Sequence, residues 1–249
     1  MYTAHNYEFL AFSTAMQGRK ADTLDAARKA RAIISDDLLA AMPGADWSIT
    51  ELYIGMVRFG LWDDVLAEAA PDARLGALAA GYRYARVVAL AAKGRVDEAK
   101  AELADLERRA AAMGADDAAG LNNAAEVLAV AVLVAKARIA QAEKQDGTAI
   151  TLLTEAAAKE DRLAYDEPAD WFFPVRHQLG ATLLQAGRPL EAEAVYQEDL
   201  RRHPENGWAL FGLAQALAAQ HRDAESQAVR QRFDKAWTDA DVTLTASAF

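Results

Sequence analysis

The sequence predicts an all-α protein built as a single array of about six consecutive helical hairpins. Of its 249 residues, 53% are hydrophobic, and alanine, which has the highest helix propensity, supplies much of that fraction. Only six prolines and 14 glycines interrupt the chain, which favours long helices over many strands. In addition, a short turn pattern, in which a glycine is followed by basic and acidic residues, recurs along the chain.

This recurring turn is predicted to separate the two helices of each hairpin. A glycine can adopt the left-handed conformation that ends a helix, and the acidic residues after it favour the N-terminus of the next helix through the helix dipole. Pro189 suits a first helical turn, where its missing N–H costs nothing. The six turns are Gly18-Arg19, Gly60-Leu61, Gly94-Arg95, Asp146-Gly147, Gly187-Arg188 and, as a degenerate copy, His221-Arg222.

These turns divide the chain into six predicted hairpins that together form one domain. The second hairpin is short in its second helix, and the fourth has a long first helix from about Leu121 to Lys144. The predicted hairpins span residues 4–40, 46–70, 76–112, 120–160, 170–203 and 206–238, and a C-terminal tail follows at 239–249.

The fifth hairpin has the most regular spacing of small and large residues. The spacing is carried by Leu179, Gly180, Leu183, Ala192, Tyr196 and Pro204. It resembles the 34-residue tetratricopeptide repeat (TPR), whose small residues allow the helices to approach closely. The resemblance implies a right-handed superhelical solenoid whose first helices line a concave groove. It does not imply one function, because such arrays serve many roles.

The stretch from Tyr165 to Arg176 is the most aromatic and the least repetitive part of the chain. Together with Leu179–Ala181 and Asn206–Leu213, it is similar to the C-terminal part of a group of uncharacterised bacterial TPR-containing proteins. More helices precede this part in that group, so the resemblance implies a bacterial protein that is a short form or a fragment of the longer architecture.

Charge and composition argue against several classes of partner and site. The formal net charge is −10, and the pairs Arg108-Arg109 and Arg201-Arg202 do not form the basic surface that nucleic acid or an anionic membrane requires. The absence of cysteine excludes disulfides and thiolate chemistry. The N-terminal residues lack the basic and apolar regions of a secretory signal. We therefore expect a cytoplasmic protein without a cofactor.

No recognisable catalytic motif is present in the repeat core, which favours a binding protein over an enzyme. The glycines are spaced by repeat rather than clustered as in a phosphate-binding loop, and no nucleophile-elbow serine pattern occurs. The alternative is a metal-dependent or acid–base enzyme. Its candidate metal ligands are His5 and Glu8, which share a helix face, together with His177.

The carboxylates of the aromatic stretch allow two interpretations. Asp166, Glu167 and Asp170 lie beside Tyr165 and Trp171 and could perform acid–base chemistry. They could equally cap helices, and Asp170 is a candidate N-cap for a helix beginning near Trp171.

The predicted register places aromatic and polar residues on the inner face of the array, where we expect a peptide, a protein partner or a small ligand to bind. Each aromatic could instead pack adjacent helices together. Arg58 and Arg176 are candidate anion-binding groups, although Arg176 could pair internally with Asp170 or Glu167. Self-association through the end repeats would make a homodimer rather than a monomer. The candidate ligand-binding residues are His5, Glu8, Trp47, Arg58, Tyr84, Tyr165, Trp171, Arg176, His177, Trp208 and Phe211, and the inner face also includes Phe12, Thr50, Ile54, Val88, Ala181 and Gln215.

Overall fold

The computed structural model describes residues 2–42 and 44–249, and these are mostly helical. The first part of the chain contains the hairpin α1 (Tyr2–Met16) and α2 (Lys20–Ile33), followed by the short helices α3 (Asp36–Ala40), α4 (Ala45–Ser48), α5 (Glu51–Arg58) and α6 (Trp62–Ala67). Four further hairpins follow: α7 (Gly76–Ala92) with α8 (Val96–Ala112), α9 (Ala124–Ala142) with α10 (Asp146–Glu160), α11 (Val175–Gln185) with α12 (Pro189–Arg202), and α13 (Gly207–Ala219) with α14 (Asp223–Ala236).

Consecutive helices pack against each other throughout the array, so the prediction of an all-α protein built from helical pairs is confirmed. Helices of neighbouring hairpins also pack together, such as α5 on α7, α7 on α9, and α11 on α13. A small antiparallel sheet of β1 (Ala118–Ala119) and β2 (Asn122–Asn123), which was not predicted, precedes α9. None of the described helices combines the length and the apolar character needed to cross a bilayer.

Most of the hairpin turns have the predicted left-handed residue. Gly18, Gly60, Gly94 and Gly187 all have positive φ angles between 67° and 73°. The fourth turn differs from the prediction, because Lys144 takes the left-handed conformation and Gly147 lies inside the first turn of α10. In the sixth turn, which has no glycine, His221 adopts φ 59°.

Two predicted helix starts are wrong. Helix α9 begins at Ala124 rather than near Leu121, because the Asn123 side chain accepts a hydrogen bond from the Ala125 N–H and caps the helix there. Helix α11 begins at Val175 rather than near Trp171, since Pro174 disfavours helical geometry at the residue before it. Residues 165–174 therefore form an irregular segment, which we call the aromatic segment.

The first and last hairpins are in contact. The Trp208 indole N–H donates to the carbonyl of Ala15 at 3.0 Å. Asp241 accepts hydrogen bonds from the backbone N–H groups of Lys20 and Ala21, at 2.6 and 2.9 Å, and so caps α2 from the far end of the chain. The array therefore turns back on itself, so that residues 193 to 221 positions apart in sequence share one packed interface.

Residues 239–249, which we call the tail, leave α14 and pack against several helices in an irregular conformation. Leu244 and Ser247 are buried, and the Phe249 ring packs edge-on against Trp208 with 6.0 Å between ring centroids. The Gln215 side-chain amide donates to the carbonyl of Thr245 at 3.1 Å. Residues of α11, α12 and α13 thus hold a segment of non-helical polypeptide.

Candidate binding site

The structure distributes the predicted site residues over several places rather than along one continuous groove. Arg58, Tyr84, Trp171 and His177 line a central cavity, and Trp208 stacks on Arg58. His5, Glu8 and Trp47 line a separate cleft beside the aromatic segment. Tyr165 and Arg176 belong to an outer cleft, and Phe211 packs on Phe233 in the last hairpin, 5.3 Å between centroids.

The central cavity is built around the buried hydrogen-bonded chain Arg58–His177–Asp199. The Arg58 Nη2 lies 2.9 Å from the Nδ1 of His177, and the Nε2 of His177 lies 2.9 Å from the Oδ2 of Asp199. A guanidinium group can only donate, so Nδ1 is the acceptor and Nε2 carries the proton that is donated to Asp199. His177 is therefore the neutral tautomer with its proton on Nε2.

The ionisation of the chain follows from its burial. Burial and the positive charge of Arg58 lower the pKa of His177, while Asp199 opposes this effect, and only 1% of the His177 surface is exposed. Burial works against ionisation of Asp199, but His177 and His203 outweigh it and hold the pKa of Asp199 well below its usual range. Asn206 adds a hydrogen bond to Oδ2 at 3.0 Å. The carboxylate is thus charged and the imidazole neutral.

Arg58 is a buried cation with an incomplete set of partners. Its guanidinium carbon lies 3.6 Å from the ring centroid of Trp208 and 5.0 Å from that of Phe173, so aromatic faces cover it. Among the described residues, no carboxylate forms a salt bridge with it, and its Nε has no hydrogen-bond partner. Burial lowers the pKa of Arg58 to about 9, an effect that the charge of Asp199 opposes, so the group remains protonated at neutral pH.

The cavity beside Arg58 has a volume of about 60 Å³. Its polar lining comes from Arg58, Arg138, Tyr84, His177 and Gln178, and Ala248 and Phe249 of the tail form part of its wall. The remaining walls are aromatic or aliphatic: Trp171, Phe173, Ile54, Val57, Val88, Val134, Pro174 and Val175. The arrangement suits a small ligand with one polar group, or a peptide side chain or terminus that takes the place of the tail.

The second cleft, of about 270 Å³, is acidic. Burial raises the pKa of Glu8, although hydrogen bonding to the Ser48 hydroxyl and the charge of His5 oppose the shift. The Nδ1 of His5 lies 3.8 Å from Oε2 of Glu8. His177 lines the other cavity, so the three candidate metal ligands are not brought together, and the described part of the chain contains no group of three or more His, Asp or Glu side chains placed to hold a metal.

The carboxylates of the aromatic segment do not play the predicted capping role. Asp170 does not cap a helix; its Oδ2 accepts hydrogen bonds from the backbone N–H and the side-chain amide of Asn122, at 3.2 and 2.6 Å. Its backbone carbonyl accepts from the indole N–H of Trp47 at 2.7 Å. These bonds attach the segment to the β1–β2 turn and to α4, and so place Trp171 against Tyr84, 5.3 Å between centroids.

Arg176 pairs internally, but not with the predicted partners. Its guanidinium makes a two-pronged ion pair with Asp161, at 2.7 and 2.6 Å, instead of contacting Asp170 or Glu167. Helix α11 begins at Val175, so Arg176 lies in its first turn, where its guanidinium reaches Asp161 at the end of α10. Tyr165 remains 79% exposed beside the outer cleft. Neither residue contributes to the central cavity.

Several aromatics of the predicted inner face are buried as packing residues. Trp208 is completely buried, and Trp47 is exposed by only 1%. The residues that sequence reasoning missed are Arg138, Phe173, Gln178, Asp199 and the tail. Arg138 had a visible signal, because it lies in a helix otherwise composed largely of Ala, Val, Leu and Ile. Asp199 had none, since its partner His177 lies on another helix.

The chain was also compared with known proteins. No protein-family model matches it, and no match was found among curated proteins. The functional conclusion therefore rests on the geometry of the cavity, the aromatic segment and the tail.

Proposed function

We propose that the protein is a TPR-type binding scaffold of the bacterial cytoplasm, a right-handed superhelical solenoid whose inner face binds a non-helical segment of a peptide or protein partner. The observation that carries this proposal is that α11, α12 and α13 already hold such a segment, the tail. The chain's charge of −10 disfavours nucleic acid and anionic membranes as alternative partners.

The contacts to the tail are of the kind that recognise a peptide. The Ser247 hydroxyl donates to the carbonyl of His177 at 2.7 Å, so the Tyr196 hydroxyl, 2.6 Å away, donates to Ser247. Both bonds are buried. Leu244 and Phe249 add apolar contacts on either side of Ser247. Buried hydrogen bonds give a peptide site specificity, and the apolar contacts beside them give it affinity.

The TPR-type character is supported by the packing of Tyr196. A Cβ at Gly180 would lie 2.3 Å from the Tyr196 ring, and a Cβ at Gly212 would lie 2.1 Å from it. The ring therefore occupies a space that exists only because two adjacent first helices carry glycine there. This is the close-approach arrangement that the resemblance implies.

A peptide-display selection tests the proposal by comparing the wild-type chain with a double variant, Ser247→Ala with Phe249→Ala, which we call the tail-released variant. In this variant the tail loses the two buried hydrogen bonds of Ser247 and the aromatic contact of Phe249 with Trp208. We expect selected peptides to bind this variant at least about tenfold more tightly than the wild type, because the tail competes for the same surface.

The matched control is Thr243→Ala with Thr245→Ala, which alters two exposed tail residues. It should behave as the wild type does. The synthetic peptide of residues 239–249 should displace the selected peptides from the tail-released variant. Peptides that bind all three proteins equally and resist displacement would contradict the proposal.

The alternative enzyme hypothesis has less support from the geometry. Both ring nitrogens of His177 are engaged inside the protein, with Arg58 and Asp199, so neither is free to take a proton from a substrate. His5 is far more exposed, but its only acidic neighbour within salt-bridge distance among the described residues is Glu8.

A further inference from the structure

Two buried hydrogen-bond donors on the wall of the central cavity have no partner among the described residues. They are the Nε of Arg58 and the indole Nε1 of Trp171. Arg58 is 7% exposed and Trp171 is 5% exposed, and both line the cavity. A buried donor without an acceptor is destabilising, and the cost is greater for a charged donor. Both donors belong to side chains of the cavity wall, so a ligand bound there is the candidate acceptor.

The charges around the cavity favour an anion. Arg58 and Arg138 each contribute a positive charge, and Asp199, behind His177, contributes one negative charge. His177 is neutral, and burial raises the pKa of Tyr84, so its phenol is neutral as well. Arg138 makes no ion pair within the described part of the chain and lies 5.7 Å from the Trp62 ring centroid. Counted over these side chains alone, the sum is one positive charge, which favours a monoanion over a cation.

The volume of the cavity and the apolar side chains of its wall favour a small ligand with a short alkyl group. One water needs about 10–15 Å³ of such space, so about 60 Å³ accommodates roughly four to six non-hydrogen atoms. Aliphatic side chains of Ile54, Val88 and Val134 form much of the wall. A planar carboxylate matches the guanidinium fork, and a short alkyl group matches the apolar wall.

We propose that the central cavity is a binding site for a short-chain monocarboxylate of the size of acetate or propionate. The carboxylate accepts hydrogen bonds from Arg58 and Trp171, and Arg138 contributes attraction at longer range. The cavity exists with the tail in place, so this inference does not depend on the binding of a peptide partner. A carboxylate of a bound peptide would present the same group, and the experiment separates the two sources.

The proposal is tested by titrating propionate into the wild-type chain of 249 residues and measuring binding by calorimetry and by tryptophan fluorescence. We expect saturable one-to-one binding of propionate, with propionamide at least about tenfold weaker because the neutral amide cannot balance the charge. Inorganic phosphate, which is larger and more highly charged, should bind more weakly than propionate. In the wild type the tail stays bound and forms part of the cavity wall. Binding of propionate to the wild type therefore identifies a site for a small molecule rather than for the terminus of a peptide.

Two variants locate the site. Arg58→Gln should weaken propionate binding at least about tenfold. Because Arg58 is in the core, Trp171→Phe provides a second test, since it keeps an aromatic ring at the wall while it removes the N–H donor together with the five-membered part of the indole; we expect a loss of about threefold to tenfold. The matched control is Arg230→Gln. The guanidinium of Arg230 also stacks on aromatic rings, those of Phe211 and Phe233, but it does not line the central cavity. Equal affinity for propionate and propionamide, unchanged affinity in Trp171→Phe, or no saturable binding of propionate would overturn the proposal.

Discussion

At the scale of single residues, the central cavity joins side chains that come from separate helices and from the aromatic segment. Arg58, Tyr84, Trp171 and His177 do meet at one cavity. The hydrogen-bond partners of these side chains could not be predicted from the sequence, because a pair such as His177 and Asp199 depends on how α12 packs on α11. Arg176 shows the same limit, since its ion pair with Asp161 follows from a helix start that only Pro174 determines.

A titratable residue outside the cavity gives a prediction at this scale. The Oε2 of Glu160 accepts the N–H of Val175 at 3.0 Å, and burial raises the pKa of Glu160 to about 8. Asp199 and Asp161 also raise this pKa, while the Val175 hydrogen bond and Arg176 lower it. Between pH 4.5 and about 8, the folded protein therefore keeps a proton that the unfolded chain has released. The free energy of unfolding consequently falls as pH rises through that window.

Glu160→Gln imitates the protonated carboxyl and should remove this pH dependence. We expect the variant to be more stable than the wild type by about 1–3 kcal/mol at pH 7, with a smaller difference at pH 5. Urea unfolding at several pH values measures the effect. The control Glu155→Gln changes an exposed residue of the same helix and should show no such trend. A stability difference that is constant from pH 5 to pH 8 would refute the assignment.

At the scale of secondary-structure elements, the repeated parts were predictable and the unrepeated parts were not. The left-handed glycines at residues 18, 60, 94 and 187 followed from a local pattern. The aromatic segment did not, because its conformation depends on hydrogen bonds between Asp170 and Asn122, which lie 48 positions apart. Local sequence also gave no signal for the return of the tail to the inner surface.

The glycines around Tyr196 allow a test of hairpin packing. Gly180→Ala would place a Cβ 2.3 Å from the Tyr196 ring, so we expect a loss of about 1–3 kcal/mol despite the better helix propensity of alanine. The control Gly147→Ala adds a Cβ in the first turn of α10, where nothing lies within 4 Å, and should be neutral or stabilising by up to about 1 kcal/mol. Thermal or urea unfolding distinguishes the two. Equal stability of both variants would contradict the close-approach packing.

At the scale of the whole molecule, the array differs from a chain of repeats that contact only their neighbours. In a simple solenoid each hairpin touches the next, and the two ends stay apart. Here Trp208 bonds to Ala15, Asp241 caps α2, and the Trp237 ring covers both Gly18 and Gly207. The first and last hairpins are consequently joined, and the tail packs on α11, α12 and α13, the surface that we propose for a partner. A partner that uses this surface must first displace the tail.

The most direct test of a peptide-binding surface is calorimetric titration of the synthetic peptide of residues 239–249 into the wild-type chain of 249 residues and into the tail-released variant. The tethered tail has an effective concentration of millimolar order, so the wild type should bind the added peptide weakly or not at all. The account predicts one-to-one binding to the tail-released variant, at least about tenfold tighter than to the wild type. No binding to a folded tail-released variant, or equal affinity for both proteins, would contradict a peptide-binding inner surface.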